Sequence, residues 1–199
     1  CIKAVLNVSQ PGQEAGHAVA DILFGKVSPS GRLTSTWARR YSDYPYSDSY
    51  SYLNGDLEKE EYKEGIYVGY RYFDSFEVEP LFPFGYGLSY TEFDTEFLDI
   101  EMSDGKIRAK VRIKNTGMNY PGKEIVQIYI TLPQNGEARE YQRLAGFAKT
   151  DVLAPGECQE LTVEVDQSQL AVFSKKAQRW IVEAGYYGIW TGKSSADRK

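Results

Sequence analysis

The apolar positions of this chain change period along its length. Residues 2–8, "IKAVLNV", form a short apolar run that predicts a buried strand, and "SQPGQ" breaks it. From Glu14 to Phe24 the pattern is helical. Ala15, Ala18, Val19, Ile22 and Leu23 fall at i, i+3, i+4, i+7 and i+8 and make one apolar face. Glu14 is expected in the first turn, where it complements the helix dipole, and Gly25 at the C-terminal cap. Gly16 costs about 1 kcal/mol relative to Ala inside a helix, so its expected use is the close approach of another backbone. The segment up to Trp37 therefore reads strand, turn, helix, loop, strand: an α/β fragment. One strand and one helix do not close a core, so this piece calls for a partner sheet. A chain that opens inside a strand reads as part of something longer.

From about residue 94 the period becomes two. In "KIRAKVRIKN" Ile107, Ala109, Val111 and Ile113 alternate with Arg108, Lys110, Arg112 and Lys114, the pattern of an antiparallel strand with one face on a core. Asp104-Gly105 before it is a hairpin signal. "EIVQIYITL" sets Val126, Ile128, Ile130 and Leu132 against Gln127, Tyr129 and Thr131. "ELTVEV" points Leu161, Val163 and Val165 one way, and "WIVEAGYYGIW" closes the series. Turns at NTG, LPQNG, LAPGE and EAG separate these runs. Strands at this spacing predict a seven-stranded sandwich of immunoglobulin or fibronectin type.

Two irregular segments lie between. Residues 38–63 are poor in aliphatics and rich in Tyr, Ser and Asp, and read as a surface connection. Residues 64–93, "EGIYVGYRYFDSFEVEPLFPFGYGLSYTEF", are too aromatic for an ordinary loop and too broken by Gly and Pro for a helix. Gly65, Gly69, Gly85 and Gly87 permit turns and close approach, and Pro80 and Pro83 fix extended backbone around Leu81-Phe82. Such a run can bury large area against two neighbours, with Tyr hydroxyls free to reach backbone partners. The reading is mortar between two units, and the rival is a sugar-binding platform.

The chain's 199 residues suffice to bury a core without staples. The net charge of -5 is interspersed, which argues against nucleic acid and anionic membrane partners. Two cysteines and one histidine exclude a disulfide framework and Cys- or His-rich metal sites. No apolar run approaches a membrane span, no signal peptide is evident, and the compartment is not legible.

At this point a resemblance enters. "PGQEAGHAVADILFGKVSPSGRLTSTW" resembles the end of the α/β-sandwich domain of glycoside hydrolase family 3, the β-glucosidase family. "EGIYVGYRYFD" and "PLFPFGYGLSYTEF" resemble its junction segment. "VRIKNTG", "GKEIVQIYI", "RLAGFAKTDVLAPGE" and "EAGYYGIWTGKSS" resemble its C-terminal fibronectin type III-like domain. Thr34 departs from the Pro common after "GRL", Ser9-Gln10 precede "PG" where a Gly is frequent, and residues 38–63 are unusually rich in tyrosine. The implied fold is mostly β: an immunoglobulin/fibronectin III-like β-sandwich after a partial α/β segment and an aromatic linker. The implied domains are 1–40, the end of the α/β sandwich; 41–93, the junction; and 94–199, the fibronectin-like unit.

The resemblance implies a retaining glycosidase for terminal β-linked glucose or xylose, with its Asp nucleophile and Glu acid/base upstream of "PGQEAG". No catalytic, cofactor-binding or metal residue is carried over. The implied partners are the parent's own upstream barrel and α/β-sandwich domains and, through them, a glycoside substrate. Among carboxylates in hand, Glu14 reads as a helix-start residue and Asp74 as a turn or ion-pair residue with Arg71. His17 reads as a surface or junction histidine, and the acidic 56–64 run as a solvated face. The fragment alone is expected to be inactive and to self-associate. The alternatives are a carbohydrate-binding module using the 41–52 tyrosines and the 64–93 aromatics, or a plain structural fibronectin-like module.

Overall fold

The computed structural model describes residues 2–134 and 138–198. Helix α1 spans Ala15–Leu23 and the short helix α2 spans Tyr70–Ser75. The strands are β1 (Phe93–Ser103), β2 (Lys106–Asn115), β3 (Ile125–Thr131), β4 (Arg143–Lys149), β5 (Cys158–Asp166), β6 (Val172–Ser174), β7 (Arg179–Ile181) and β8 (Gly188–Gly192). One sheet runs β1-β2-β5, the second β4-β3-β8, and β6-β7 form a small separate pair. Every pairing is antiparallel. The expected β-sandwich is therefore present, but among the described residues its two sheets hold six strands and not seven, and β6-β7 pair outside them.

The period-two residues meet between the sheets. Ile107, Ala109, Val111 and Ile113 of β2 and Val163 and Val165 of β5 face Val126, Ile128 and Ile130 of β3, and Phe93, Leu153 and Leu170 close the ends. The β1–β2 hairpin turns at Asp104 (φ 52°) and Gly105 (φ 72°), both left-handed as a two-residue type I′ turn demands. The turn expected at 132–136 lies partly outside the described residues. On the solvent face of β2, Arg112 pairs with Glu96 of β1 (3.1 Å) and Glu160 of β5 (2.8 Å), and Lys106 with Glu164 (2.6 Å).

The N-terminal region departs from expectation. Residues 2–8 form no strand and are exposed throughout. A strand needs a ladder to satisfy its backbone, and every described sheet lies downstream, with its strands paired among themselves. Helix α1 forms where its pattern places it, but buries no residue. No atom lies within 4 Å of a Cβ built on Gly16, so the expected backbone neighbour is absent among the described residues. Glu14 stands one residue ahead of the helix instead of in its first turn. Gly25 (φ 71°) does terminate it, its N–H donating to the Ile22 carbonyl (2.9 Å). The second α/β strand reduces to a single bridge, Trp37 with Phe82.

Candidate functional site

Strand β3 shows how the junction is held. Val126, Ile128 and Ile130 point into the sandwich, yet Gln127 and Tyr129 are buried as well. Their face, the one opposite the sandwich core, is covered by residues 64–93. The Tyr129 ring meets Tyr70 of α2 edge-on, with centroids 6.1 Å apart, and its hydroxyl donates to Gln127 Oε1 (2.6 Å). Burial pushes the Tyr129 phenol well above its ordinary pKa. Gln127 Nε2 donates to the carbonyls of Lys193 (2.8 Å) and Gly85 (3.5 Å).

Further bonds lie on either side. The Leu144 N–H donates to the Tyr70 hydroxyl oxygen (2.8 Å), the Tyr141 N–H to Ser75 Oγ (2.8 Å), and the Ser195 N–H to the Phe84 carbonyl (2.9 Å). A Cβ on Gly87 would sit 2.6 Å from the Gly31 carbonyl oxygen, so only glycine admits this approach. The segment before the junction is tied to the sandwich too. The Arg32 guanidinium donates to Glu124, with side-chain exposures of 7% and 3%. The Tyr90 hydroxyl donates to the carbonyl of Ile22 at the end of α1 (2.8 Å).

Asp74 is the carboxylate the fold perturbs most clearly. It accepts from Gln142 Nε2 (2.5 Å), and Gln142 in turn donates to the Ser195 carbonyl (2.7 Å) and accepts from Trp190 Nε1 (3.1 Å). Burial pushes the Asp74 pKa up to about 6, opposed by the Gln142 hydrogen bond and the positive charge of Arg198. Arg198 lies 4.3 Å over the Tyr141 ring. The expected pairing with Arg71 is thus replaced by Gln142 and Arg198. Asp74's work is to join α2 to the C-terminal strap.

Glu14, just ahead of α1, and His17 in its first turn form a solvent-exposed pair (2.6 Å). In the 56–64 run Glu61 lies between Lys59 (2.5 Å) and Lys63 (3.4 Å), a solvated face. Among the described residues no three His, Cys, Asp or Glu side chains converge as a metal site.

A cleft of about 720 Å³ lies between residues 34–50 and the start of α2. Trp37, Tyr41, Tyr44, Tyr50, Tyr70 and Phe73 supply its rings, with Ser35, Ser47 and Glu64 among them. Trp37 is fixed by its bridge, its N–H donating to the Phe82 carbonyl (2.9 Å). Tyr44 packs edge-on against Phe73 (5.9 Å), accepts from the Ala38 N–H (3.2 Å) and donates to the Thr36 carbonyl (3.4 Å). The sequence shows these tyrosines, but not that they line a common wall.

Residues 1–90 match the glycosyl hydrolase family 3 C-terminal domain, and residues 124–195 match the fibronectin type III-like domain. The chain belongs to glycosyl hydrolase family 3. It is 41% identical to thermostable beta-glucosidase B of Acetivibrio thermocellus over 98% of this chain and 26% of that protein. It is 38% identical to a beta-glucosidase of Kluyveromyces marxianus over 98% of this chain and 23% of that one. The structure of beta-glucosidase 3B from Thermotoga neapolitana in complex with α-D-glucose superposes with a TM-score of 0.86 at 43% identity, covering 94% of this chain and 26% of that one. The chain thus spans about a quarter of the length of these family 3 relatives.

Proposed function

We propose that this chain is the non-catalytic C-terminal scaffold of a retaining β-glucosidase-type enzyme acting on terminal β-linked glucose or xylose. Retaining hydrolysis uses two carboxyl groups about 5–5.5 Å apart, one nucleophile and one acid/base. Both are assigned to upstream domains, and this chain supplies none. Glu14 sits in open solvent beside His17, and Asp74 accepts a hydrogen bond from the Gln142 amide in the field of the Arg198 charge. In this reading residues 1–40 complete an α/β-sandwich domain, 41–93 are the junction, and 94–199 are the fibronectin-like unit that braces it.

The observation that carries the reading is the contrast within residues 1–40. No residue of α1 is fully buried and Leu23 is exposed, while Arg32 and Tyr90 tie this segment firmly to the rest of the chain. A helix so presented is positioned to cover a sheet supplied from upstream. The test assays the pure chain on a chromogenic aryl β-glucoside, then repeats the assay after mixing with the separately produced upstream portion of the parent. No turnover alone and turnover on mixing are expected. Turnover by the chain alone, above a no-protein control, would overturn the assignment.

A further inference from the structure

We propose that the aromatic cleft between residues 34–50 and α2 is a non-catalytic binding site for neutral sugar rings of a β-linked oligosaccharide. Its volume of about 720 Å³ lies in the range of small-ligand sites, roughly 300–1,000 Å³. Tyr44 is anchored through its hydroxyl, which accepts from the Ala38 N–H and donates to the Thr36 carbonyl, and the Trp37 ring packs edge-on against Phe82 (5.9 Å), so both rings are placed before any ligand arrives. Tyr41 and Tyr50 are 58% and 50% exposed, and neither hydroxyl has a hydrogen-bond partner among the described residues. A pyranose with equatorial hydroxyls has apolar C–H faces and a polar rim. The rings suit the faces, and the hydroxyls of Tyr41, Tyr50, Ser35 and Ser47 suit the rim.

Charge narrows the class. Among the described residues the lining holds one carboxylate, Glu64, and no Lys, Arg or His. A carboxylate accepts from sugar hydroxyls and repels uronates, sulfates and phosphates. Neutral oligosaccharides are therefore favoured over anionic ones. The proposal does not depend on the glycosidase reading, because binding is read on this chain without turnover.

The experiment titrates the 199-residue chain with neutral cello-oligosaccharides and, separately, with oligogalacturonates, following tryptophan fluorescence. Saturable change with the neutral series and none with the anionic one is expected. Tyr41→Ala and Tyr50→Ala, both at exposed rim positions, should each weaken binding about fivefold to tenfold, as lost ring contacts do. Trp37→Phe should abolish the fluorescence change, whereas Trp180→Phe should retain it. Flat titrations would overturn the proposal. So would equal binding of the anionic series, or a signal that survives Trp37→Phe, which would place the sugar elsewhere.

Discussion

On β2, Ile107, Ala109, Val111 and Ile113 are sealed between two sheets; on α1, no residue is buried and Leu23 is 68% exposed. Both patterns are regular, at period two and at period 3.6. The difference is whether the complementary surface lies within the same chain. A periodic pattern specifies a face, and only a partner turns that face into stability. The molecule therefore holds one finished core and one prepared surface, with the aromatic junction fastened to the finished side.

The largest test of this contrast is a pair of truncations. Ile113→Ala removes a fully buried side chain from the sandwich and should cost about 2–5 kcal/mol. Leu23→Ala on α1 should change stability by less than about 0.5 kcal/mol. Urea unfolding of both variants beside the parent chain measures this, and comparable losses would contradict the unpartnered face. Next in size is the tie between the two regions. Glu124→Gln leaves the Arg32 guanidinium buried beside a neutral amide, and loss of one partner of a buried pair costs about 3–5 kcal/mol when no relaxation helps. A loss near the low end is expected, because the amide still accepts one hydrogen bond. Replacing both residues by apolar ones of similar volume should recover most of it.

The sandwich was legible because each of its strands meets its partner within the chain, so local periodicity and tertiary burial agree. Two kinds of position were not. Gln127 and Tyr129 alternate with the core residues of β3, and that alternation does not show that residues 64–93 bury them too. No local pattern announces cover arriving from residues 64–93. Asp74 was placed with Arg71 because they are neighbours in sequence, whereas its partners, Gln142 and Arg198, are far along the chain. The initial strand failed for the complementary reason: "IKAVLNV" has a strand's composition but no described ladder to join. The aromatics and glycines of residues 64–93 mark a segment that packs on a neighbour, but which tyrosine meets which carbonyl depends on folded geometry.

Asp74 sharpens the comparison at the finished side. Its carboxyl has an ordinary pKa of 3.8 and is raised to about 6 in the fold, so the native state favours its protonated form. The associated stabilisation is fully present below about pH 3.8 and is lost as pH rises through about 6. The parent chain should therefore lose stability over that window relative to Asp74→Asn, which cannot titrate. Paired urea curves at pH 4, 5, 6 and 7 test the sign. Arg198→Ala removes the opposing positive charge and should move the carboxyl's midpoint higher, as read by side-chain NMR. A midpoint that stays put would show that Arg198 does not act on Asp74.

The smallest expected effect on stability is at the prepared surface, where the effect on association is the larger one. Ile2, Val5, Leu6, Leu23, Phe24 and Val27 are exposed on the N-terminal region. Large exposed apolar area promotes association. Light scattering of the isolated chain should show concentration-dependent dimers or larger species. Leu23→Glu and Phe24→Glu together should return it to a monomer, with a urea midpoint within error of the parent chain's. The two readouts separate the causes. If the double variant were monomeric but destabilised, α1 would be packing within its own chain, and the unpartnered face would be a wrong description. If it remained associated with unchanged stability, contact between copies would run through another surface, such as the exposed aromatics of the β6-β7 hairpin, Phe173 and Trp180. Only the loss of association at constant stability identifies α1 as a face made for a partner outside this chain.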